Sequence, residues 1–273
     1  MNLFQESLRP HGGAARRPLL LIGQDMHILN PVFHRALAAR DSRALAAMAV
    51  RQAEAGADAL DLNLGPAGKD SGLLAWAMET VLAAARLPLF TASQVLARPE
   101  LLLRHGEKLT VNAVTADPAS LPDKMALARD CGAGLTVLLT RPGLTACSAD
   151  DRLLLAAEVL DAAEKSGLPL ARLYLDPILR PNWQGLPDIE PTLDWLTSLV
   201  LLNRKEARSI AALSSPSASH PAAPACHHQR LLPLLAEAGL DAVILNCNDR
   251  RLMEAARRIG VAETPAPLAE AAC

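Results

Sequence analysis

Eight short apolar runs are spaced along this chain, with stretches long enough for a helix between most of them, and that alternation limits the fold more than any other feature. The runs lie at residues 19–23, 59–63, 87–91, 109–113, 135–140, 173–176, 199–203 and 242–246. Parallel strands buried on both faces read as continuous apolar runs, and strands alternating with helical patterns are the mark of repeated βα units. Helical periodicity covers 42–55, 72–85, 121–131, 149–166 and 250–259, with Asp41 and Ser148 placed as N-caps. Gly56, Gly167 and Gly239 each end a segment shortly before a strand, where a left-handed C-cap suits glycine. The predicted fold is α/β: one TIM (β/α)₈ barrel over 18–260, for which 273 residues give ample length. A disordered leader at 1–17, a disordered tail at 261–273 and a flexible Ser/Pro/Ala/His-rich insertion near 214–227 are expected around it.

Composition narrows the partners. A hydrophobic content of 51% with only 3% aromatics implies a core of Ala, Leu and Val. A formal net charge of −2 offers no long-range attraction to nucleic acid or anionic lipid, so neither is expected as a partner. Without an apolar run of roughly 18 residues no membrane span is expected, and the chain reads as cytoplasmic. The five cysteines lack CxxC spacing, and Cys226-His227-His228 lacks further ligands at metal spacing, so no bound metal is expected.

Reacting groups of such barrels sit at the C-terminal strand ends, and here those ends are polar. Gln24 and His27 follow the first run, His27 as a ligand, a proton donor or a turn cap. Asp61 and Asn63 end the second, Thr91 and Ser93 mark the third, Asn112 ends the fourth and Arg141 follows the fifth. Asp176, Asn203 and Asn246 end the sixth, seventh and eighth. Amides with two carboxylates and one guanidinium present donors and acceptors with little net charge, which suits the edge of a polar heterocycle. No Gly-rich phosphate loop accompanies them.

The segment Arg51-Gln52-Ala53-Glu54-Ala55-Gly56-Ala57-Asp58-Ala59-Leu60-Asp61-Leu62-Asn63-Leu64-Gly65-Pro66-Ala67 resembles the pterin-binding barrels of the dihydropteroate synthase-like superfamily, nearest to the methyltetrahydrofolate:corrinoid/iron-sulfur protein methyltransferases. Leu173-Tyr174-Leu175-Asp176-Pro177-Ile178-Leu179-Arg180-Pro181 resembles the sixth-strand motif of that family, and Gly239-Leu240-Asp241-Ala242 the start of its eighth. The resemblance implies that Asn112 and Asp176, with Asp61 and Asn63 beside them, hold the pterin edge, and that Asn203 is the catalytic group reaching toward N5. It implies methyltetrahydrofolate as substrate and a corrinoid (cobalamin) carried by a partner protein, which takes the methyl group. Gln24, His27, Ser93, Arg141 and Asn246 are secondary site candidates.

The chain also departs from the family pattern. Ile22-Gly23-Gln24-Asp25-Met26-His27 stands where the family reads Ile-Gly-Glu-Arg-Ile-Asn, and Ala92 or its neighbours stand where a third-strand Asp binds the pterin. Three readings stay open: a methyltransferase of one-carbon metabolism using this or a related pterin, a non-catalytic scaffold in a corrinoid methyl-transfer complex, and a dihydropteroate synthase-like enzyme. The last has no basic phosphate motif at strand eight, where Asn246-Cys247-Asn248 sits. A homodimer is among the partners left open, the sequence setting no oligomeric state.

Overall fold

The computed structural model describes residues 18–180, 189–202, 206–214 and 226–261. Eight parallel strands close into a barrel: β1 (Leu20–His27), β2 (Ala59–Asn63), β3 (Leu89–Thr91), β4 (Leu109–Thr115), β5 (Gly134–Leu138), β6 (Leu173–Asp176), β7 (Arg208–Ala212) and β8 (Ala242–Leu245). Each strand pairs with its sequence neighbours and β8 closes on β1, with Leu20 opposite Ala242 and Ile22 opposite Ile244. The TIM-barrel expectation is met. Nine α-helices among the described residues wrap the sheet: α1 (Pro31–Ala38), α2 (Ser42–Glu54), α3 (Ser71–Ala85), α4 (Pro99–His105), α5 (Leu121–Asp130), α6 (Ala149–Ser166), α7 (Glu190–Ser198), α8 (Cys226–Ala238) and α9 (Arg250–Val261). No helix among the described residues is long and apolar enough to cross a membrane.

Local signals fix the helix ends. Asp41 accepts the Ala44 N–H at 2.9 Å to start α2, and Ser148 forms a reciprocal capping box with Asp151 at the start of α6. Gly167 ends α6 at φ 71, a left-handed conformation that a Cβ would penalise.

One strand lies elsewhere than expected. The seventh run, 199–203, is not a barrel strand: Leu199–Leu202 is a 3₁₀ turn after α7, with Val200 62% and Leu201 74% exposed. The strand is Arg208–Ala212, whose Ser209 hydroxyl and N–H bind the Asp241 carboxylate at 3.0 and 2.8 Å. Asn203 therefore precedes the seventh strand in sequence instead of ending it, and it lies outside the described residues, as does most of the 214–227 insertion.

Side chains alternate between two cores. Leu60, Leu62, Leu89, Val111, Leu135, Val137, Leu173 and Leu175 face the helices. Ile22, Ala59, Phe90, Tyr174, Ile210, Ala242 and Ile244 pack against one another inside the barrel. Phe90 meets Tyr174 edge to face at 5.2 Å, filling the interior with two of the chain's few rings.

Candidate functional site

Barrel interiors stack in layers of four side chains drawn from alternate strands. The pairing registers place Ile22, Phe90, Thr136 and Ile210 of the odd strands in one layer, and Asp61, Asp176 and Ile244 of the even strands in the next layer toward the C-terminal mouth; Asn112 lies where the β4–β5 register slips between Val111 and Val114, and its hydrogen bond to Asp61 brings it to that level. Gln24, Ala92, Leu138 and Ala212 follow above. The sequence-predicted residues Asp61, Asn112 and Asp176 therefore share one level of one lumen, although they come from strands far apart in the chain.

Asp61 is 6% exposed, and its Oδ1 accepts a hydrogen bond from Asn112 Nδ2 at 3.1 Å across the lumen. Burial pushes its carboxyl up to about 6, partly offset by that hydrogen bond. Asp176 is likewise pushed up to about 6 by enclosure within the barrel, while its Oδ1 accepts the Ile178 N–H at 2.7 Å. That bond holds Ile178 at φ 60, a strained conformation for a β-branched residue, directly beyond the strand end. The second oxygen of each carboxyl makes no hydrogen bond among the described residues. Because Asn112 donates to Asp61, its Oδ1 is left as a further acceptor, and Gln24 Oε1 is buried without a hydrogen-bond partner.

Gln24 is placed by a bulge. The β1–β2 register slips between Gly23 and Met26, and the Asp25 N–H turns outward to Gln52 Oε1 at 3.0 Å. A Cβ at Gly23 would meet that oxygen at 2.4 Å, so glycine is required for the approach. The loop after β8 locks the same seam: Asn248 donates its amide to the Asp25 carboxylate, whose pKa burial raises despite the Arg51 charge.

Other predicted residues make local contacts in turns and on the outer surface. Asn63 Oδ1 accepts the Gly65 N–H at 2.9 Å and Asn246 Oδ1 the Asn248 N–H at 2.9 Å, both turn-forming bonds. His27 Nδ1 accepts the Leu29 N–H at 3.2 Å, so it caps a turn, and burial lowers its pKa. Ser93 opens the 3₁₀ turn Ser93–Ala97 behind β3. Arg141 does not join the ring: it lies in a small hairpin, Thr140–Arg141 with Leu144–Thr145, and pairs with Glu158 on the outer helix α6. Among the described residues no three His, Cys, Asp or Glu side chains gather as metal ligands. A surface hollow lined by Arg104, His105, Lys108, Arg129 and Cys131 lies at the N-terminal ends of β4 and β5, the opposite end from the carboxyl layer.

Sequence reasoning did not single out Thr136, Gln52 or Arg208. Thr136 sits inside an apolar run, and only the barrel register turns it inward. Arg208 stands at the start of the strand that the apolar pattern missed; its Nη1 donates to Tyr174 Oη at 3.3 Å deep in the lumen.

No protein-family model matches the chain. Solved structures do resemble it. A dihydropteroate synthase from Xanthomonas albilineans with 4-aminobenzoic acid superposes with a TM-score of 0.66 at 18% identity, covering 91% of this chain and 95% of that one. The enzyme from Coxiella burnetii in complex with pteroic acid gives 0.62 at 13% identity over 89% and 92%, and that from Yersinia pestis 0.60 at 13% over 90% and 93%. The chain shares the dihydropteroate synthase fold across nearly its whole described length.

Proposed function

We propose that the lumen binds a reduced pterin and that the chain is a pterin-dependent transferase. The observation that carries this reading is the shared level of buried Asp61 and half-buried Asn112 and Asp176 inside the barrel, with Asn112 bonded to one oxygen of Asp61 and Ile178 to one oxygen of Asp176. Such a wall of acceptors demands a ligand edge rich in donors, and the amine and ring N–H of an aminopyrimidinone supply it in one plane. An anionic edge would meet like charge and lone pairs instead. The shared fold and the complex of the Coxiella neighbour with pteroic acid point the same way.

For the reaction, we favour methyl transfer from methyltetrahydrofolate to a corrinoid carried by a partner protein. Neither the carboxyl layer nor the one above it contains Lys or Arg to receive a leaving diphosphate, which weighs against the dihydropteroate synthase-like alternative. The corrinoid would supply the nucleophile that accepts the methyl group. This chain's own part is to hold the ring, exclude water and offset the poor leaving ability of a tertiary amine.

Isothermal titration with methyltetrahydrofolate, run on the wild type and on Asp176→Ala, tests the binding. Saturable heat that the variant loses by at least tenfold in Kd is expected, since a charge-assisted hydrogen bond contributes about 1.5–3 kcal/mol. Silence of the wild type at high micromolar ligand would sink the reading. Dihydropteroate formation from 4-aminobenzoate would instead establish the alternative.

A further inference from the structure

Buried polar groups in folded proteins almost always find a partner, so each orphan calls for a cause. Among the described residues, Thr91, Thr136 and Thr192 have buried hydroxyls without a hydrogen-bond partner. Thr91 alternates with the inward Phe90 and so faces the helices, and Thr192 belongs to α7. Thr136 is different. It alternates with Leu135 and Val137, both in the outer core, so its side chain points into the lumen, where it is 0% exposed.

The register gives that hydroxyl a defined place. β5 lies between β4 and β6, and Thr136 stands one layer below Asn112 and Asp176 on those two strands. Its layer mates Ile22, Phe90 and Ile210 are apolar. Its paired neighbour Tyr174 cannot satisfy it, because the phenol oxygen faces the Arg208 guanidinium. The floor beneath the carboxyl layer is thus hydrophobic except for one hydroxyl.

We propose that Thr136 is a specificity-determining residue of the site, its hydroxyl donating to an acceptor atom at the deep edge of the bound heterocycle. This rests on the pterin reading. An aminopyrimidinone edge alternates donors with acceptors, and Asp61 and Asp176 provide only for its donors. A carbonyl oxygen or ring nitrogen buried in the same plane needs a donor from below, and the Thr136 O–H is free to give one. The second N–H of Asn112 can donate only at the level of the carboxyls, and an otherwise apolar floor gives nothing from below, so Thr136 selects for heterocycles that carry an acceptor at this point.

The test compares methyltetrahydrofolate binding and thermal unfolding for the wild type, Thr136→Val and Thr136→Ser. Val keeps the shape and removes only a hydroxyl that bonds nothing in the protein, so the melting temperature should hold or rise. Its Kd for methyltetrahydrofolate should nevertheless weaken by about tenfold, the scale of one buried hydrogen bond. Ser should bind within about threefold of the wild type, since it retains the O–H. Val binding as tightly as the wild type would overturn the assignment, as would Ser losing as much as Val, which would make the methyl group the important part. A wild type that binds no pterin overturns both this inference and the reading beneath it, whereas a binding wild type with an indifferent Thr136→Val overturns this inference alone.

Discussion

The lower lumen and the layer above it come from the same strands, one alternation apart, and they are chemically opposite. Ala59, Tyr174 and Ala242 pack below, while Asp61, Asp176 and Ile244 stand above. The lower level spends its side chains on closing the barrel, and the upper level holds groups that the fold gains nothing by burying. The contrast separates stability from function within one tube. Phe90→Ala should produce the largest loss of stability, about 3–5 kcal/mol in denaturant unfolding, because it empties the ring contact with Tyr174 and leaves a cavity. Asp176→Ala should cost far less in the same assay while removing ligand binding. If the two variants destabilise equally, the division between the levels is wrong.

Asp61→Asn sharpens the comparison through pH. The folded-state pKa of Asp61 is about 6, raised from 3.8, so between these values the native state binds more protons than the unfolded one. Its contribution to stability is therefore full below pH 4 and is lost as pH rises through 6. An asparagine never ionises, so Asp61→Asn should be more stable than the wild type at pH 8 by up to ~3 kcal/mol, the worth of a shift of about two units. That advantage should vanish as pH falls from 6 to 4. Melting temperatures measured across pH 4–8 decide it, and a gap independent of pH would mean that Asp61 is not a buried acid.

Much of this contrast was legible in the sequence. β2 and β6 fall where their apolar runs end in Asp and Asn, because both faces of a parallel strand are buried and no competing pattern overlaps them. β7 was not legible, because Leu199 to Leu202 is more apolar than Arg208-Ser209-Ile210-Ala211-Ala212, yet it forms a 3₁₀ turn in which Val200 and Leu201 face solvent and only Leu199 and Leu202 pack against the core. A topological signal was present: the long loops of these barrels follow strand tips at the catalytic end, so a strand should run directly into the Ser/Pro-rich insertion. Thr136 and the Gln24 bulge could not be read beforehand. Which face a mid-strand residue takes depends on registers set by neighbouring strands, and the bulge depends on Gln52 reaching in from α2.

The smallest expected effect probes how the upper level tolerates its own charge. Asn112 Nδ2 is the side-chain donor to Asp61, and that bond lowers a pKa that burial raises. Asn112→Ala should therefore push the Asp61 carboxyl higher still and destabilise the protein at pH 8 by about 1.5 kcal/mol, the low end of the net worth of a hydrogen bond to a charged group because Asn112 is only half-buried. At pH 4–5, where Asp61 is protonated in either protein, the difference should shrink. Placed on top of Asp61→Asn, the same substitution should lose its pH dependence, since no ionisable partner remains for the amide to support. An Asn112→Ala effect that is equal at both pH values and additive with Asp61→Asn would show that the amide serves packing alone, leaving the two carboxyls as independent groups instead of one assembled wall.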